Sequence, residues 1–390
     1  MTMEHQTSTD SSLFKHTVKK IEENRRIRDN GGVISIPWKL PRLSKVLPGV
    51  RKGQYTCITA STKQSKTQLT DFLYMYQPIE WLLEHPESNI GLKIKYFSLE
   101  LSREVKMAQA ICYRLYTYYD ILINPDNLMS IFENYKIEDD ILEIIRSDEF
   151  KEWFDFFEET VEFIDYIRHP TGIAMFMDRF AEQNGVWEYK EIQWENESGE
   201  IVPRMVKNKY LPNRPDEIVI PIIDHVGLLY EKGLTKYQAI EILSNKYLLR
   251  MRDKLGYSPV IVQQQSAQST TQQFTTSGNT VIDKVKPTRE GLADNKATGL
   301  DVNLMLGIFS PYLYNEKEYN GWDLTRLKDN HRELMILLNR NGKSNASIDL
   351  YFNGAVNYFR ELPKEPSERV YKFVEHNRNL ELKYGEENNI

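Results

Sequence analysis

The most apolar stretch of the chain is Ile-Val-Ile-Pro-Ile-Ile at residues 218–223, and it ends in Asp224. A short, continuous apolar run rich in β-branched residues reads as a buried strand, and such a strand needs a sheet with helices on both faces. The flanking sequence supplies them. Gln54–Thr59 reads as a short buried strand, followed by a polar turn and a helix from Lys66 to about Tyr76. Ile94–Leu99, Glu162–Ile167 and Ser258–Val262 read as further strands, and Arg103–Tyr119, Ile173–Gln183 and Gln238–Lys254 as helices. Strands alternating with helices predict an α/β fold with a mostly parallel central sheet.

Other segments interrupt this rhythm. Residues 12–29 have the apolar spacing of an amphipathic helix stopped by Gly31-Gly32. That helix either folds back on its own domain or docks on a neighbouring subunit. Residues 1–10 are expected to be disordered. The acidic, aromatic region 120–160 predicts extra helices, and residues 187–213 predict an inserted hairpin turning around Asn196–Gly199. Gln263–Thr280, a run of Gln, Ser and Thr, reads as a flexible loop, and residues 364–390 as a charged tail without a core face. At roughly 150 residues per domain, 390 residues allow two or three domains. The organisation predicted is an N-terminal arm (1–34), one enlarged domain with insertions (35–363) and the tail.

Composition excludes several classes. Two cysteines, Cys57 and Cys112, are too few for a disulfide framework or a Cys-based zinc site. No apolar run is long enough to span a membrane, and the polar N-terminus has no signal-peptide core. These features predict a soluble protein of a reducing compartment, in the cytoplasm. Fifty basic against 56 acidic residues give a net charge of −6, which argues against coating nucleic acid with the whole surface. It leaves room for nucleic acid held at a few basic loops or inside an oligomeric ring.

The sharpest local motif is Ala60-Ser61-Thr62-Lys63-Gln64-Ser65-Lys66-Thr67. Between a strand and a helix, backbone N–H groups and the helix N-terminus can cradle phosphates. Lys66 would neutralise the β- and γ-phosphates of ATP, and the Thr67 hydroxyl would ligate Mg²⁺. Both glycines of G-x-x-x-x-G-K-[ST] are replaced, by Ala60 and Ser65, and taken alone the segment is equally a polar turn. Downstream residues add to it. Asp224, at the end of a buried strand, can hold the water shell of Mg²⁺. Glu100 would lie beside Asp224 if their strands are neighbours and could then deprotonate an attacking water. By itself it is also an ordinary solvated strand end. Gln265 can hydrogen-bond the γ-phosphate or the water, or is simply part of a Gln-rich loop.

At these residues a family resemblance emerges. KYFSLELSREVKMAQAI is similar to the "FSLEM" segment of DnaB-type replicative helicases, and IIDHVGLL to their "VDYLQLM" segment. PVIVQQQS resembles their "PVVALSQL", and LNRNGKSNASIDLYFNG resembles "GKQRNGPIGTVRLTFNG". WKLPRLSKVLPGVRKGQYTCITA resembles the entry into their phosphate loop. The similarity runs over about residues 35–360 and implies a RecA-like P-loop ATPase core. It implies that Lys66 and Thr67 are the phosphate-loop pair, Glu100 the catalytic glutamate and Asp224 the metal-associated acid. Gln265 would sense nucleotide and DNA, and Arg340 would be the arginine finger offered to the next subunit. The segment 284–304 aligns with a DNA-holding loop, with Lys284, Lys286, Arg289 and Lys296 as its charges. The implied partners are single-stranded DNA, further copies of the chain in a ring, expected to be hexameric, and a primase or helicase loader.

The sequence also departs from that pattern. If residue 65 must sit at positive φ, a serine there costs roughly 1–2 kcal/mol and would crowd the phosphate. Leu338 stands where the family has a lysine two residues before the finger, and Ala293 aligns with a DNA-contacting arginine. Only residues 1–35 precede the ATPase core, so primase recruitment is expected to differ. Three functions therefore compete: a ring-shaped ATP-driven DNA helicase, a RecA-like nucleotide-binding protein that hydrolyses ATP poorly and regulates or scaffolds a replisome, and a recombinase or clock-type ATPase sharing the core.

Overall fold

The computed structural model describes residues 10–133, 135–196, 198–268, 271–272 and 281–384. Its strands, in chain order, are β1 (Thr56–Ala60), β2 (Gly91–Ser98), β3 (Val161–Ile164), β4 (Gly185–Glu195), β5 (Ile201–Pro212), β6 (Glu217–Asp224) and β7 (Val260–Gln264). They continue as β8 (Leu304–Phe309), β9 (Glu318–Tyr319), β10 (Trp322–Asp323), β11 (His331–Asn339), β12 (Ala346–Asn353) and β13 (Tyr358–Glu361). Nine of them form one sheet in the order β13-β12-β11-β8-β1-β7-β6-β2-β3. The pairings among β8, β1, β7, β6, β2 and β3 are parallel, whereas β11, β12 and β13 extend the sheet in antiparallel fashion. This is the mostly parallel sheet expected of a RecA-like core. The antiparallel extension lies beyond Val262, where the sequence reading found no further strands.

β6 shows why the apolar run fixes the architecture. Ile218, Ile220 and Ile222 pack into one core, while Val219 and Ile223 pack into the core on the opposite face. Both sets are almost fully buried, so the side-chain period of two is hidden by burial on both faces. One core is closed by the helix over residues 66–84, which continues past the expected end at Tyr76 and contains a π-helical stretch at Phe72–Tyr76. The other is closed by Pro170–Gln183 and by the helical stretch 236–255.

The interruptions take defined forms. Within 120–160, helices Asp139–Arg146 and Asp148–Thr160 place Ile141, Phe150, Trp153 and Phe157 in the interior. β4 and β5 form the inserted antiparallel hairpin, mostly exposed beyond Gly185 and Tyr210. The N-terminal helix Asp10–Asp29 leaves Leu13, Phe14 and Ile21 exposed, and Asn24 and Ile27 line a cleft with Pro215 and Ile218 of the main body.

Two readings are corrected. Gln263 and Gln264 belong to β7 rather than to a loop, because β1 pairs with them to its end at Ala60. The 364–390 stretch is not a tail without a core face: Glu368–Tyr384 is a helix whose Tyr371 and Val374 are buried with Trp322 and Leu327. Arg326 pairs with Glu368 and Glu375 on that helix, so some of its charges serve docking. Residues 1–9 and 385–390, and 269–270 and 273–280 within the Gln/Ser/Thr stretch, lie outside the described residues.

Candidate functional site

The C-terminal ends of β1, β2 and β6 open into a cleft of about 580 Å³ lined by residues 62–68, Glu100, Gln109, Asp224, His225, Gln264, Asp329 and Arg332. Ligands bind at this edge in open parallel sheets, where helix N-termini and strand ends converge. Ala60 is buried as the last residue of β1, and the loop from Ser61 to Ser65 leads into the helix that begins at Lys66. Two residues of that loop have left-handed backbone, Lys63 (φ 60°) and Ser65 (φ 68°). Position 65 thus does demand positive φ, and serine meets it without acting as a helix cap, since its side chain makes no capping bond.

Lys66 is buried and donates from Nζ to the Ser61 carbonyl at 2.8 Å, folding across its own loop. Burial pulls its pKa down to about 8, opposed by Asp224 and Glu100. Gln64 braces the loop from below, donating to the Tyr314 hydroxyl and accepting from the Ser310 N–H.

Thr67 Oγ1 donates to Asp224 Oδ1 at 3.1 Å, which joins the start of the helix to the end of β6. β2 and β6 are indeed neighbours, with Ser98 opposite Asp224, so Glu100 lies just beyond that pair. Its carboxylate is 56% exposed and stands 3.9 Å from His225 Nε2. Burial lowers the His225 pKa, against the pull of Asp224 and Glu100, and favours the neutral ring. Gln109 Oε1 and His225 Nδ1 have no hydrogen-bond partner among the described residues although both residues line the cleft. Such atoms suit a polar ligand or its water. Among the described residues no cluster of three or more His, Cys, Asp or Glu could hold a metal unaided. A hydroxyl beside one carboxylate fits a Mg²⁺ whose other ligands are phosphates and waters.

Behind Asp224 lies a buried polar network that the sequence reading missed. Lys106 Nζ donates to both Asp71 oxygens, at 3.0 and 2.9 Å, and to the Tyr96 hydroxyl at 2.9 Å. The Tyr96 hydroxyl lies 2.8 Å from Asp71 Oδ1 and 3.0 Å from Asp224 Oδ2. Lys106 and Asp71 are 1% and 0% exposed, so this is a fully desolvated ion pair. Burial pushes the Asp71 carboxyl up and Lys106 opposes it. Arg332 was also missed: it is buried beside Ser65 and stacked on Phe352. A charge buried through contacts far apart in sequence leaves no local signal.

The remaining candidates lie elsewhere. Gln265 is buried next to the cleft, but its amide donates to Thr59 Oγ1 and the Thr288 carbonyl and accepts from the Thr288 N–H. It ties the end of β1 to the 284–304 segment, and its neighbour Gln264 lines the cleft instead. Arg340 is exposed and donates to the carbonyls of Val302 (2.8 Å) and Leu300. In the 284–304 segment Lys284 and Lys296 are exposed and Arg289 is half-buried. Lys286 differs, being held by Asp283 at 3.3 Å and Glu333 at 3.6 Å.

No family model matches the chain, and no curated protein matches its sequence. Solved structures do match. One of them, a helicase ATPase domain, superposes with a TM-score of 0.60 at 16% identity, covering 92% of this chain and 100% of that one. A DnaB-like replicative helicase, described together with its interactions with primase, superposes with a TM-score of 0.59 at 16% identity, covering 92% of this chain and 68% of that one. No helix among the described residues is long and apolar enough to cross a membrane. In fold, this chain resembles DnaB-type replicative helicases at the level of their RecA-like ATPase domain.

Proposed function

We propose that the chain is an ATP-dependent DNA helicase of the DnaB type, hydrolysing ATP at the interfaces of a ring and moving on single-stranded DNA. The observation that carries this reading is the convergence of Lys66, Thr67, Asp224 and Glu100 on one cleft at the ends of β1, β6 and β2. Lys66 would swing from the Ser61 carbonyl to the β- and γ-phosphates. Thr67 and Asp224 would hold Mg²⁺, which supplies charge neutralisation at the phosphates when bound. Glu100, exposed at the cleft mouth, is free to orient a water and take its proton.

The ring and the DNA are further parts of the same proposal. The exposed Leu13, Phe14 and Ile21 give the N-terminal helix an unpartnered apolar face suited to a neighbouring subunit. Lys284, Arg289 and Lys296 would meet the phosphodiester backbone, with Lys286 reserved for its ion pairs. A primase or loader would add to these partners, and the protein would work in the cytoplasm. A second reading is favoured by Ser65 and by the tethering of Arg340 to its own chain: a nucleotide-binding protein that hydrolyses poorly and serves a replisome as scaffold or regulator.

ATP hydrolysis with and without single-stranded DNA tests both. The helicase reading expects DNA-stimulated turnover that Lys66→Ala lowers at least about a hundredfold, as loss of a transition-state cation does. Tight ATP binding with no turnover would favour the second reading. No nucleotide binding at all would end both.

A further inference from the structure

The phosphate loop contains a strained serine where a glycine would be at ease, and a buried arginine is locked onto it. Ser65 has φ 68° and is 7% exposed, and its Oγ accepts from both Nε and a terminal nitrogen of Arg332, each at 3.2 Å. Arg332 comes from β11, 267 residues further along the chain. Its guanidinium is fixed on every other side. It donates to Ser310 Oγ at 3.1 Å, to the carbonyls of Asp329 and His331, and to the Asp329 carboxylate, while Phe352 packs against its face at 4.4 Å. A side chain this constrained holds its partner in place rather than following it.

We propose that Arg332 is a positioning residue of the nucleotide site: it clamps Ser65 in the left-handed conformation that the loop requires and so makes a phosphate loop without its second glycine competent to bind. The inference rests on the reading of this cleft as a nucleotide site. The fork draws the hydroxyl oxygen toward β11 and away from the loop's concave side, which removes the crowding a serine would cause. A hydroxyl has two acceptor lone pairs and one proton. With both lone pairs engaged by Arg332, the proton is the remaining valence of a side chain that lines the cleft, available to a phosphate oxygen.

The clamp makes a prediction that a merely structural arginine does not. Its value depends on residue 65 having a side chain, because glycine adopts positive φ without help. Affinity for a fluorescent ADP is measured in two backgrounds, wild type and Ser65→Gly. In each, Arg332→Ala is introduced together with Asp329→Asn, so that no carboxylate is left unpaired beside the loop. The expected loss is about tenfold in the wild-type background, the order of a left-handed non-glycine penalty, and less than about twofold in the Ser65→Gly background. Arg332→Lys, which keeps the charge but not the fork, should lie between, and it carries the test if the double change fails to fold. Equal losses in the two backgrounds, or no loss in either, overturn the proposal. Wild-type protein that binds no ADP, or Lys66→Ala protein that binds it normally, instead overturns the nucleotide-site reading, and this inference with it.

Discussion

Lys106 is one residue on which the site depends without being lined by it. It holds Asp71 and Tyr96, and through Tyr96 it fixes the second oxygen of Asp224 while Thr67 fixes the first. Breaking a buried ion pair from one side leaves a desolvated charge, at a cost of about 3–5 kcal/mol, whereas replacing both partners by apolar groups is often close to neutral. Lys106→Met is therefore expected to lower unfolding stability by about 3–5 kcal/mol, and Asp71→Leu added to it to restore most of that. Denaturant titration of the two variants checks this, and a double variant as unstable as the single would show that the pair is not the source of the loss. Lys66, Thr67, Glu100 and Asp224 were legible in the sequence because each ends or begins an element whose pattern is local. Lys106, Asp71 and Arg332 were not. Lys106 sits in a helix among ordinary surface-type charges, and only the tertiary fold brings it to Asp71, 35 residues away.

At the scale of elements, the parallel half of the sheet could be read from strands such as β6, whose apolar residues are continuous. The antiparallel half could not. β11 opens His-Arg-Glu, all three buried, so polar side chains that find internal partners mask a core strand. The C-terminal helix was hidden in the same way. Its charges dominate the sequence, yet Tyr371 and Val374, three positions apart and on one face, cover Trp322 and Leu327. Each such side chain contributes about 1.5–3 kcal/mol when buried. A chain ending at Pro363 is accordingly expected to lose several kcal/mol and to melt at a visibly lower temperature, since Trp322, now 0% exposed, would meet water. An unchanged melting curve would mean that the helix adds nothing to the fold.

For the whole molecule, the position of Arg340 decides whether one chain suffices. Arg332 lines the cleft near the start of β11, and Arg340 follows the strand's other end. Eight residues of strand at roughly 3.3 Å each separate them by about 25 Å, far beyond the reach of an arginine side chain. Arg340 therefore cannot serve its own cleft, and any catalytic use of it requires a second protomer. Its present bonds to Val302 and Leu300 are weak restraints on an exposed side chain, about 0.5–1.5 kcal/mol each, and a subunit interface can outweigh them. Complementation is the expected consequence. Arg340→Ala and Lys66→Ala proteins should each be inactive as pure assemblies, the first still binding ATP and the second not. Mixed, they form some interfaces that join an intact Lys66 cleft to an intact Arg340, and these should recover a fraction of ATP turnover that rises and falls with the mixing ratio. Recovery would place the site between protomers. Full activity of Arg340→Ala alone would remove the arginine from catalysis, and inactivity at every ratio would leave no support for a shared site. The net charge of −6 fits such an assembly without being evidence for it, because the bases that would face DNA, Lys284, Arg289 and Lys296, are a small part of a chain whose acids are spread over its other surfaces.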